Sequence, residues 1–231
     1  MGGQVGMQGA GGRKDQAPPL WLRMGFWACI GVSVAVVLRR VSALAYPPRS
    51  APPQMAALDA VFASHATLTL AHILPALLFV LVAPFVVFRR PANAAWPERL
   101  IFPLGGVVGF TAYAMSVHSV GGWVERSAVL TFNSVFLFSL FRAYWHRQRG
   151  EPILERQWML RAIAVLLGIA TTRPVMGIFF ATSSLTHLAP SQFFGIAFWI
   201  GFSINTFVIE LWLRSRERHV HGERMAMHPS R

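Results

Sequence analysis

His72, His118 and Arg173 are the residues of this chain best placed to hold a cofactor, because each lies within or at the end of an apolar run. Histidines on different helices supply the axial ligands of b-type haem, and an arginine beside them could face a haem propionate or a quinone oxygen. His65 precedes His72 by seven residues, nearly two helical turns, so the rings share a face but lie ~10 Å apart along the axis. Two nitrogens that far apart cannot both reach one zinc or iron, whose bonds to nitrogen are ~2.0–2.1 Å long. No metal site is expected from the pair. The plainer reading of a lone histidine in such a run is a core residue satisfied by a hydrogen bond.

The stretch "ERQWMLRAIAVLLGIATTRPV", Glu155 to Val175, carries Arg161 as well as Arg173. A charge at the centre of a membrane helix costs about 2.5–3.5 kcal/mol on insertion scales, so it must face protein or reach the headgroups. Arg161 is about one turn from the start of its run and can snorkel along the helix. Arg173 lies ~22 Å beyond Trp158 at 1.5 Å per residue. Pro174 follows it and cannot donate to the Ala170 carbonyl, which predicts a kink and a polar pocket with Thr171 and Thr172. The spacing of the two arginines is ~120° from a whole number of turns, so they need not serve one site.

Asn133 and Asn205 can cross-link helices through their amides. Glu210 precedes Arg214 by four residues, the favourable order for a helical ion pair, and Arg161 at similar depth is the other candidate partner. Arg161, Asn205, Glu210 and Asn133 are read as structural intramembrane polar residues. No residue is read as catalytic.

The elements that must position these side chains are helices. The chain is 54% hydrophobic and only 13% charged, against about 25% charged in soluble domains. Its apolar residues come in runs of the roughly 20 needed to cross ~30 Å of hydrocarbon. The reading is all-α: a polytopic transmembrane bundle over 20–213 with about six spans, near 20–38, 66–88, 100–117, 127–145, 158–181 and 193–213. Residues 1–19 read as a disordered tail, residues 214–231 as a basic tail, and "YPPRSAPPQ" as a non-helical connector. Residues 20–45 could instead be a cleaved signal ending in "SALA". Their run exceeds the usual ~7–15-residue apolar core, which favours a retained helix.

A net charge of +12 suggests nucleic acid until the basic residues are placed. With the N-terminus inside, the inner segments hold fifteen Lys and Arg residues and the outer segments four. That asymmetry puts both termini in the cytoplasm and accounts for the charge without a nucleic-acid partner. The lipid bilayer is the expected partner, with a homo-oligomer or a membrane partner subunit left open. Cys29, alone, excludes an intramolecular disulfide and a cysteine metal site. No P-loop, H-E-x-x-H, Rossmann or nucleophile-elbow motif occurs.

From about Ser64 to Arg214 the chain resembles an uncharacterised bacterial family of predicted membrane proteins, a domain of unknown function. The resemblance rests on an early histidine in "LAHILPALLFVLVAPF", a "WM-x-R" motif at Trp158, Met159 and Arg161, Arg173 a dozen residues on, and Asn205 with Glu210 in the last span. Two features of the family are missing: Glu155 stands where a histidine usually precedes the "WM-x-R" motif, and "AAWPERLIFPLG" lacks a usual "H-R-W-L-G-R". The resemblance implies a bacterial cytoplasmic (inner) membrane protein and no particular activity.

Three readings of function are compatible with these residues. The first is a non-catalytic accessory or structural membrane protein. The second is a b-type haem or quinone-linked redox protein using His72, His118 and Arg173. The third is a small-molecule or proton transporter, which proline-broken helices beside polar groups would suit.

Overall fold

A computed structural model describes residues 18–46, 53–88 and 96–227. The expected N-terminal tail therefore lies almost wholly outside the described residues, as do Arg49, Arg89 and Arg90 among the residues that set the charge asymmetry.

The described residues form helices and no strands: α1 (Leu20–Ala45), α2 (Pro53–Ser64), α3 (Ala66–Val87), α4 (Trp96–Ser116), α5 (Gly122–Gln148), α6 (Pro152–Ala181), the single turn α7 (Ser183–Thr186) and α8 (Pro190–Met227). Five of them, α1, α3, α5, α6 and residues 191–218 of α8, are long and apolar enough to cross a membrane. Helix α4 has 21 residues but opens on Pro97, Glu98 and Arg99, and it packs between α3 and α5. With it the bundle has six long helices, in rough agreement with the six runs in the sequence. Lipid contact is written on the surface: Leu74, Leu78, Leu81 and Phe85 are exposed along one stripe of α3, while Phe79, Val80 and Ala83 on its other side are buried.

The most extensive contact is between α6 and α8. Small residues allow it. A Cβ on Gly201 would lie 2.6 Å from the Thr172 backbone nitrogen, and one on Gly168 would lie 3.0 Å from the Phe202 Cα. Close backbone approach through small residues is how helices associate where no hydrophobic force separates side chains from lipid.

One expectation changes. The connector after α1 is partly helical, because Pro53 sits at the first position of α2, where proline's missing N–H costs nothing. His65 stands just before the run read as 66–88. It occupies the break between α2 and α3. The basic segment after 213 is helical through Met227 as the end of α8. Pro75 and Pro174 lie inside α3 and α6, both of which continue past them.

Candidate functional site: a polar-ended intramembrane cavity

Between α1, α3, α4, α5, α6 and α8 lies a cavity of about 250 Å³, walled mostly by apolar side chains such as Val37, Ile73, Leu77, Val80, Phe136 and Phe198. Its polar lining includes Arg40, His65, His72, His118, Glu125 and Arg173. The topology explains their convergence. The C-terminal end of α1, the α2–α3 break, the α4–α5 turn and the C-terminal half of α6 all lie at one end of the bundle, so residues far apart in sequence share one depth.

His72 Nδ1 lies 2.9 Å from the Thr111 hydroxyl on α4. That hydroxyl donates to the Val107 carbonyl at 2.7 Å, so its oxygen is left to accept from His72 Nδ1–H, and Nε2 becomes the acceptor of a neutral ring. His118 stacks on His65 with ring centroids 3.8 Å apart and planes 26° apart. The His65 ring is also 3.0 Å from the Ser64 hydroxyl. Glu125, buried in the first turn of α5, accepts the Gly121 N–H at 2.5 Å, where a carboxylate also complements the helix dipole.

The two arginines of the cavity differ. Arg40 donates to Asp59 Oδ1 at 2.5 Å and lies over the Phe62 ring at 3.9 Å. Arg39 holds the other oxygen of Asp59 at 3.1 Å, so one carboxylate latches α2 to the end of α1. Arg173 has no carboxylate within ion-pair distance among the described residues. Its Nε is sealed from solvent and unpartnered, and its Nη1 has only the Met176 sulfur, at 3.9 Å.

Thr171 and Thr172 do not join Arg173, contrary to the pocket expected at Pro174. The Thr171 hydroxyl donates to Asn205 Oδ1 at 2.7 Å and lies 3.8 Å from Cys29 Sγ. Thr172 donates back to the Ile169 carbonyl, against Gly201 on α8. Asn205 also donates to the Ala164 carbonyl at 3.2 Å, and Asn133 to the Gly109 carbonyl at 2.9 Å.

Arg161 is at the opposite end of α6 from the cavity. It donates through Nε to Glu210 Oε2 at 2.9 Å, lies over Trp158 at 4.7 Å, and shares Glu210 with Arg214 at 3.1 Å. Around the same end Arg147 pairs with Glu98 and Glu155, and His146 with Glu151 at 2.5 Å. The Arg161–Glu210 side chains are 19% and 33% exposed. Breaking their pair is therefore expected to cost about 1–2 kcal/mol, between an exposed pair and a buried one. Arg161→Glu and Glu210→Arg should each lower the yield of folded protein, read by size-exclusion chromatography. The double reversal should restore most of it, short of the whole because Arg214 would then face a like charge. No restoration would mean that the pair contributes nothing.

Sequence reasoning missed Arg40, His65 and Glu125 as cavity residues. Arg39 and Arg40 looked like topology charges; the signal that could have found them is Asp59, a lone carboxylate in the apolar stretch "MAALDAVFAS" one loop away. Among the described residues no three of His, Cys, Asp and Glu come together as a metal site.

No curated protein matches this chain, and no solved structure does. The family described as "Predicted membrane protein (DUF2306)" matches residues 69–213. Those residues cover α4, α5 and α6 and most of α3, including His72, His118, Glu125 and Arg173 of the cavity. With more than half of its length matched, the chain belongs to this family of predicted membrane proteins of unknown function.

Proposed function

We propose that this protein is a non-catalytic, ligand-binding integral membrane protein that holds one small, mostly apolar molecule by its polar end. One observation carries the reading: three histidines, two arginines and a glutamate from separate elements meet on one apolar cavity. Convergent polar groups in an apolar pocket are the usual form of a small-molecule site. The cavity, about 250 Å³, sits just below the ~300–1,000 Å³ of ordinary ligand pockets, which suits a ring or a short chain better than a macrocycle. The redox reading keeps one specific support, the His72 tautomer with Nε2 as acceptor, in the form of a quinone or quinol rather than haem. His118 stacked against His65 is not free to serve as a second axial ligand without leaving that contact.

We read the bundle as lying in a bacterial inner membrane with both termini cytoplasmic, an orientation supported by the asymmetry of Lys and Arg, and this would put the cavity in the outer half. The opposite, ion-paired end would face the cytoplasm and could also seat a second copy or a partner subunit.

Solvent extraction of the purified protein, followed by mass spectrometry, tests the binding role. About one equivalent of a single apolar compound is expected from the wild type and none from Ala76→Phe, which fills the cavity wall. Equal release from both would sink the proposal. A reduced-minus-oxidised absorption spectrum of the same sample separates haem from every other occupant.

A further inference from the structure

We infer that the occupant's polar group is a single negative charge, a carboxylate on an apolar tail, held by Arg173; the inference rests on the cavity being a ligand site. Arginine stays charged at any accessible pH, so burial cannot be relieved by losing its proton. A charge withdrawn from water needs a partner, and half-buried Arg173 has only the Met176 sulfur among the described residues: no carboxylate, no aromatic face, and an Nε that is sealed and unbonded.

The charges around the cavity do not supply that partner. Those acting on Arg173 are Arg40, Arg39 and Glu125. Asp59 is already shared between Arg39 and Arg40, and Glu125 is bonded to the Gly121 N–H while remaining outside ion-pair distance of Arg173. Of the two guanidiniums that line the cavity, Arg40 has its carboxylate and Arg173 has none within ion-pair distance among the described residues, and one monoanion answers one guanidinium. A planar carboxylate matches the guanidinium fork with two parallel hydrogen bonds. The tail has its place along Ile73, Leu77, Val80 and Phe198. A phospholipid phosphodiester carries the same single charge, so the test contains that competitor throughout.

The full chain is placed in phosphatidylcholine nanodiscs with lauric acid labelled with carbon-13 at its carboxyl. The expected result is a second carboxylate resonance, saturating at one per protein and displaced by unlabelled laurate but not by methyl laurate. Arg173→Gln should weaken this binding about 10–100-fold, the worth of a charge-assisted hydrogen bond, whereas Arg173→Lys should retain part of it. Size-exclusion and circular dichroism profiles identify a variant that has failed to fold, and Arg173→Lys then carries the comparison against Ala76→Phe.

A resonance that persists unchanged in Arg173→Gln overturns the inference. So does displacement by methyl laurate as effective as by the acid, or a lipid phosphodiester that keeps laurate out altogether. If the acid gives no resonance while a short-chain quinone binds the wild type and not Ala76→Phe, the cavity stands as a ligand site and the carboxylate falls. If neither binds, both fall.

Discussion

Asp59→Asn is expected to cost about 3 kcal/mol of stability, the lower end of the ~3–5 kcal/mol for removing one partner of a buried ion pair. The side chains of Asp59 and Arg40 are 13% and 14% exposed. The substitution keeps the shape but leaves Arg39 and Arg40 facing each other without the carboxylate that both hold. It also removes the ion pairs that join α1 to α2, leaving the Arg40 guanidinium over Phe62 as a remaining contact between them. Unfolding in mixed dodecyl sulfate micelles measures the loss. Arg39→Gln is the control: with Arg39 47% exposed, its share is screened and should stay within ~1 kcal/mol. An Asp59→Asn protein within 0.5 kcal/mol of wild type, the roughly neutral range for surface substitutions, would show that the latch does not hold the fold.

Gly201→Leu should prevent the bundle from assembling, and Gly201→Ala should lower stability by about 1–3 kcal/mol, the usual cost of overpacking. The sign is the informative part. Glycine inside a helix is normally worse than alanine by roughly 0.5–1 kcal/mol, so a neutral site gains from the change. Gly177 in α6 has open space where a Cβ would go, and Gly177→Ala should be neutral or stabilising. At Gly201 the new carbon would meet the Thr172 nitrogen at 2.6 Å and its Cα at 2.8 Å. These are backbone atoms and cannot turn aside as a side chain would. Thermal melting of the three variants in one lipid composition decides it, and a Gly201→Ala protein that melts at or above wild type would mean that the two helices do not pack this closely.

The long helices were legible because membrane spans announce themselves through runs of apolar residues, and helix depth could be counted in residues from the run ends. That is why Arg161 could be matched with Glu210 from the sequence. Depth, however, is one coordinate of three. It does not say which helices are neighbours, so Thr171 could not be assigned to Asn205 rather than to Arg173 beside it in sequence. It also gives no weight to short amphipathic pieces. Helix α2 follows a proline-rich segment that hides its start, and with it went Asp59 and the role of Arg40. Glu125 follows two glycines and reads as loop chemistry until the turn of α5 is seen to begin at Gly122.

Helix α1 is the least embedded of the spans, with Ile30 and Ser33 its only buried residues among those described. It nevertheless supplies part of the cavity wall through Ser33, Val36, Val37 and Arg40. The α6–α8 seam, by contrast, is closed backbone to backbone. A molecule dissolved in the lipid therefore meets two unequal doors. The seam can open only by separating the tightest pair in the bundle, whereas α1, once its latch to Asp59 lets go, gives up only Ile30 and Ser33 as buried residues among those described. Entry and exit would then run sideways from the hydrocarbon rather than from the water, and the residence time of any occupant would be set by how often one loosely held helix leaves its neighbours.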